Sequence, residues 1–190
     1  MTYADVLRPS LEREARIYDI TLVAGGSLLI ALLSQIRIPL PFTPVPITGQ
    51  TLGVLLAGAM LGRIRGTFTV VVYLGQGAAG LPFFAGGAAG LTHLMGPTGG
   101  YLFGFIGGAY VTGLLAEKGW DRKPGTTVVA MILGNVAIFA VGLTWLGLYT
   151  RSYDVFSLGL FPFIPGDIIK IGLAAVLLPY GWKWLDRPNA

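Results

Sequence analysis

Asp167 and Lys170 stand three residues apart at the start of an otherwise apolar stretch, Phe163-Ile164-Pro165-Gly166-Asp167-Ile168-Ile169-Lys170. At that spacing an acid and a base project from nearly the same face of a helix. A lysine ammonium suits capture of a ligand carboxylate, and an aspartate accepts from ligand N–H groups. The plainer alternative is an aspartate offsetting the helix dipole in the first turn, with a lysine snorkelling to the membrane interface. A charged pair at membrane depth is expensive and asks for a functional reason. The expected role is therefore to hold a small polar ligand in an outward-open pocket. Gln50, between Thr48 and Thr51, offers an amide donor and acceptor together, which suits a urea or amide group. Its alternative is an interfacial glutamine facing water.

Other segments are candidates for walls and joints. The run Leu81-Pro-Phe83-Phe84-Ala-Gly86-Gly87-Ala-Ala-Gly90 joins aromatics to a flexible backbone. It reads as a lid in which Phe83 or Phe84 covers an apolar part of the ligand, or as an interfacial aromatic belt. Gly96-Pro97-Thr98-Gly99-Gly100-Tyr101 reads as a turn into a helix capped by Thr98, with Tyr101 as a pocket wall. Ser27 and Ala31 form a small-xxx-small step that lets another helix approach, inside the bundle or from a partner protein. Asn135 reads as an interhelical hydrogen bond, and His93, the single histidine, as a loop residue without catalytic work. No phosphate-binding loop, G-x-S-x-G or H-E-x-x-H motif is present.

These residues need elements to position them. Of 190 residues, 54% are hydrophobic and only 12% charged, and the mean hydropathy is +0.71. A soluble domain carries about 25% charged residues. The 29 glycines follow no collagen period and suit close packing of membrane helices. With no cysteine there is no disulfide or thiolate chemistry. The composition predicts an all-α polytopic membrane protein. Six spans are expected at about 18–36, 47–62, 66–81, 98–117, 125–149 and 165–184, each near the ~20 residues a bilayer requires. Residues 1–17 form a polar lead-in, 18–185 the transmembrane domain and 186–190 a short tail.

Six spans place both termini on one side. Arg8, Arg13, Arg16, Arg63, Arg65, Lys118, Arg122, Lys123, Lys183 and Arg187 then fall on that side, and Arg37 and Arg151 on the other. The positive-inside rule makes the terminus side cytoplasmic. The proline-rich link at 39–46, the glycine-rich segment at 82–97 and the Asp167/Lys170 pair all lie toward the outer face.

Four blocks carry a resemblance. Ile38-Pro-Leu-Pro-Phe-Thr-Pro-Val-Pro-Ile-Thr-Gly-Gln-Thr-Leu-Gly-Val-Leu-Leu-Ala-Gly is similar to the proline-rich signature of BioY proteins, the biotin-binding S components of energy-coupling-factor (ECF) transporters. Gly80-Leu-Pro-Phe-Phe-Ala-Gly-Gly, Gly96-Pro-Thr-Gly-Gly-Tyr-Leu-Phe-Gly-Phe and Phe161-Pro-Phe-Ile-Pro-Gly-Asp-Ile-Ile-Lys match further family stretches in the same order. The resemblance spans about residues 18–185.

The resemblance implies six helices in a bacterial or archaeal cell membrane and high-affinity capture of biotin from outside. It also implies docking on a membrane coupling protein with two cytoplasmic ATPases. No cofactor is implied, because biotin is the transported substrate, and no nucleic acid is a partner. The family's ligand positions carry over to Gln50, Asp167 and Lys170, and to Phe83, Phe84 and Tyr101. Biotin's carboxylate would meet Lys170, and its ureido ring would meet Gln50 and Asp167. The docking step on the first helix appears as Ser27-x-x-x-Ala31. Two other classes remain open on residues alone: a stand-alone oligomeric carrier, and a small intramembrane enzyme using Asp167 with His93.

Overall fold

The computed structural model describes residues 1–151 and 154–185, so Arg187 and the 186–190 tail lie outside the described residues. A short helix α1 (Tyr3–Val6) precedes α2 (Glu12–Ser34), and a two-residue antiparallel ribbon joins β1 (Arg37–Ile38) to β2 (Ile47–Thr48). Then come α3 (Gln50–Ala78), a 3-10 turn at Ala85–Gly87, and the single-turn α4 (Leu91–Leu94). The long helices α5 (Gly99–Glu117) and α6 (Pro124–Thr150) follow. The short α7 (Val155–Gly159) and a 3-10 turn at Phe161–Phe163 lead into α8 (Ile164–Leu185). Among the described residues, five stretches are long and apolar enough to cross a membrane: α2, α3, α5, α6 and the run Val155–Leu185.

Two spans are expected where α3 runs continuously for 29 residues. A straight helix would hold Gln50 and Tyr73 about 35 Å apart. Instead the Gln50 amide nitrogen lies 2.5 Å from the Tyr73 hydroxyl. The break is at Gly62, with φ 84° and ψ 172°, a conformation only glycine adopts readily. There 63–78 folds back on 50–61. A Cβ on Gly66 would lie 2.7 Å from the Gly58 Cα, so the two arms touch backbone to backbone. This hairpin packs against α2 on one flank and α5 on the other, and α6 links α5 to α8. Lipid offers no hydrophobic drive between helices, so association relies on such close approach.

The face of α8 is sorted by periodicity. Ile168, Ile169, Leu173, Val176, Leu177 and Tyr180 are exposed, whereas Asp167, Ala174, Leu178 and Trp182 are buried. The apolar stripe is the one lipid would cover, and the acid turns inward.

The end of the bundle that carries the N-terminus is tied by polar contacts. The Met1 amino group donates to the Glu117 carbonyl at 3.1 Å, and the Tyr3 hydroxyl donates to the Leu178 carbonyl. Arg65 pairs with Asp5 at 2.7 Å and Asp19 at 2.8 Å. The expected lead-in of 1–17 is thus divided: α1 docks under the bundle, and α2 starts at Glu12.

At the same end the Trp182 indole donates to Asp121 at 2.5 Å, and the Arg122 guanidinium lies 4.3 Å over the Trp182 ring. Burial pushes the Asp121 carboxyl above its usual range, against the lowering pull of Trp182, Arg122 and the chain's amino group. A carboxyl whose folded pKa is raised binds more protons folded than unfolded. Stability therefore falls as pH climbs from the ordinary value of 3.8 through the raised one. Asp121→Asn keeps an acceptor for Trp182 and removes the charge. The expected result is a higher thermal midpoint than the parent at about pH 7 and a flatter profile between about pH 4 and pH 7, read by unfolding in detergent.

Candidate ligand-binding site

A cavity of about 590 Å³ opens among the starts of α3, α5 and α8 and the end of α6, at the bundle end opposite α1. Small-molecule sites occupy roughly 300–1,000 Å³. The ribbon β1–β2 brings the proline-rich link to this end, with Arg37 paired to Thr48 and Ile38 to Ile47. Prolines at 39, 41, 44 and 46 cannot donate to a ladder, which fits a ribbon of only two residues on each side. The Thr43 hydroxyl fastens the link to α7 by donating to the Leu158 carbonyl at 2.7 Å.

Asp167 and Lys170 both line the cavity and meet each other: the ammonium lies 3.1 Å from Asp167 Oδ1 and 2.8 Å from Thr51 Oγ1. Their side chains are only 10% and 15% exposed, so each charge depends on the other for compensation. An ammonium has three donors, and two are engaged here. Gln50 is buried at the cavity wall. Its amide nitrogen donates to Tyr73, whose hydroxyl donates to the Phe83 carbonyl at 3.1 Å, and the Thr48 hydroxyl donates to Gln50 Oε1 at 3.0 Å. The amide is fixed in orientation and keeps one N–H and one oxygen lone pair for a guest. Two helices, α8 and both arms of α3, thus hold one donor–acceptor set.

Tyr101 forms part of the wall with its ring, because its hydroxyl is used on the Gly159 carbonyl at 2.8 Å. Phe139 and Phe163 pack around it, with ring centroids 6.1 and 6.4 Å away.

Phe83 and Phe84 do not line the cavity. Phe84 is fully buried, edge-on to Tyr73 at 5.8 Å and stacked on His93 at 5.2 Å, with its ring tip against Gly77. The pair therefore anchors the 82–97 segment to α3. Its neighbours Ala85, Gly86, Gly87 and Ala88 are what face the cavity, together with His93. Burial lowers the His93 pKa, and the positive field of Arg37 lowers it further.

Ser27 and Ala31 are buried within the bundle, where the Ser27 hydroxyl donates to the Ala24 carbonyl at 2.8 Å. The step sets the approach of α2 to α3, with Gly26 close against Thr69, and it is not a surface.

Sequence reading passed over Arg37, Phe105, Phe139 and Phe163 as cavity residues. Phe105 had a signal: it lies four residues beyond Tyr101, on the same helix face.

A set of membrane-length helices around a ligand-sized cavity at one end, its wall part apolar and part polar, defines a multi-pass membrane solute-binding protein. The chain belongs to the BioY family, whose sequence profile matches residues 8–187. It is 41% identical over 172 residues to a protein of Rhizobium etli named biotin transporter BioY, covering 84% of this chain and 90% of that one. It is 39% identical over 161 residues to the biotin transporter BioY of Thermotoga maritima, covering 82% and 92%. The fold superposes on the crystal structure of the S-component for biotin from an ECF-type ABC transporter with a TM-score of 0.80. That match has 28% identity and covers 92% of this chain and 95% of that one. The proteins it is grouped with are named transporters, not enzymes.

Proposed function

We propose that the chain captures biotin as the membrane-embedded S component of an ECF-type transporter. The observation that carries this reading is the buried Asp167–Lys170 pair, held beside Gln50 in a cavity of ligand size within a BioY-family chain. Biotin has a ureido ring and a carboxylate for the polar groups. Its thioether ring and apolar tail suit the wall made by Tyr101, Phe139 and Phe163.

We take the membrane arrangement to be six spans, with the two arms of α3 each counted once. The bend at Gly62 and the Gln50–Tyr73 contact support that count. Both termini are then cytoplasmic, supported by the excess of Lys and Arg at their end, and the cavity opens outward. The chain has no phosphate-binding loop, so uphill uptake needs ATPases on other subunits, joined through a membrane coupling protein.

Equilibrium titration of the detergent-purified chain with biotin tests the assignment. Saturable binding with one site per chain is expected. Absence of saturation by a monodisperse, folded sample overturns it. Uptake of labelled biotin by cells lacking the coupling protein and ATPases should stay at background, and sustained uptake would make the chain a stand-alone carrier.

A further inference from the structure

We propose that Arg37 takes the carboxylate of the ligand, while Asp167 and Lys170 read the uncharged polar ring at its other end. This rests on the biotin reading above and assigns the ends of the molecule within the same cavity.

Charge balance around the cavity drives the assignment. Among the described residues, Asp167 is the only acidic one on its wall, and it is already joined to Lys170 at 3.1 Å. Lys170 also donates to Thr51 at 2.8 Å. That pair is electrically neutral and presents both an acceptor and a donor, which matches a urea's N–H and C=O better than a net anion.

Arg37 lines the same cavity from β1, and none of the ion pairs found among the described residues involves it. Its positive charge is therefore the uncompensated one on the wall. A guanidinium fork matches a carboxylate with two parallel hydrogen bonds, which a lysine cannot do.

The backbone is shaped for the guanidinium to lie there. Register places Arg37 opposite Thr48, two residues before Gln50, so the same ribbon sets both. Across from it, Gly86 sits at φ +70°, and a Cβ there would come within 2.6 Å of the Arg37 Nη1. The side chain thus rests on the bare backbone of the 85–87 turn, at the exposed mouth. An anion bound at that point keeps part of its hydration, and the less polar middle of the ligand passes Tyr101 and Phe163 toward Asp167 and Lys170.

The test compares biotin with its methyl ester, which lacks the negative charge, by equilibrium binding to the purified full chain. The parent should prefer biotin over the ester by at least tenfold. Arg37→Gln should lose at least tenfold for biotin, change the ester less than about twofold and so erase the preference. Arg37→Lys, which keeps the charge, should recover part of it, and it serves as the second variant if the glutamine form is unstable. A preference unchanged in both variants overturns the assignment while leaving biotin binding intact. Equal binding of acid and ester by the parent overturns it as well. A parent that binds neither compound sinks the biotin reading itself.

Discussion

Lys170→Ala is expected to weaken biotin binding by more than tenfold with expression and folding intact. Tenfold is about 1.4 kcal/mol, and two effects in the cavity supply it. The ligand loses the donor that Lys170 has left after Asp167 and Thr51. Asp167 loses its partner in a place where it is 10% exposed, so a buried charge is left without compensation. Asp167→Asn should weaken binding too, because it leaves the Lys170 ammonium without a counter-charge. The loss in Lys170→Ala should be of similar size for biotin and its methyl ester, which separates the ring end of the site from the carboxylate end at Arg37. Calorimetry or fluorescence titration on monodisperse protein measures it, and an affinity equal to the parent's would remove both residues from the site.

What the sequence disclosed, and what it withheld, follows from the range of the forces involved. The α8 reading depended on local pattern alone. An acid and a base at i,i+3 inside an apolar run face one way, and the structure turns Asp167 inward with Ala174, Leu178 and Trp182 while Ile168, Ile169 and Val176 face out. The start of α5 was legible for the same reason, since Gly96-Pro97-Thr98 stops one element and begins the next at Gly99. The place of Phe84 outside the cavity lining was not legible, because it depends on a partner on another element. Gly77 leaves a gap that the Phe84 ring fills, and nothing near residue 84 in sequence announces it. Ser27 and Ala31 show the limit of small-residue patterns: the step says that a neighbour comes close, not whether the neighbour is α3 or another protein. Arg37 was legible as a charge but not as a cavity residue, because its place is set by a pairing with Thr48 eleven positions away.

The second large effect is expected at Gly62, where the chain reverses between the arms of α3. Its φ of 84° with ψ of 172° lies outside the left-handed helical well, in a region closed to residues with a Cβ. Asparagine, which tolerates the left-handed helix, gains nothing here because ψ is wrong for it. Gly62→Ala therefore costs about 1–3 kcal/mol in backbone strain. The new Cβ would also stand 3.0 Å from the Glu117 carboxylate and 3.3 Å from the Thr2 methyl. That carboxylate accepts from the Arg63 backbone N–H at 2.9 Å and pairs with the Arg63 side chain at 3.4 Å, so it cannot move freely away. The purified variant should show a thermal midpoint several degrees lower than the parent, and Gly62→Val a larger drop. A change at this bend is also felt at the far end of the hairpin. Tilting 63–78 against 50–61 shifts Tyr73 from Gln50, and Tyr73 is what fixes the Gln50 amide in the cavity. Weaker biotin binding should therefore accompany the lower midpoint, even though Gly62 lies at the opposite end from the ligand. An alanine variant as stable as the parent, with unaltered affinity, would mean that the two arms are set by their packing on α5 and α2 and not by the backbone geometry of the bend.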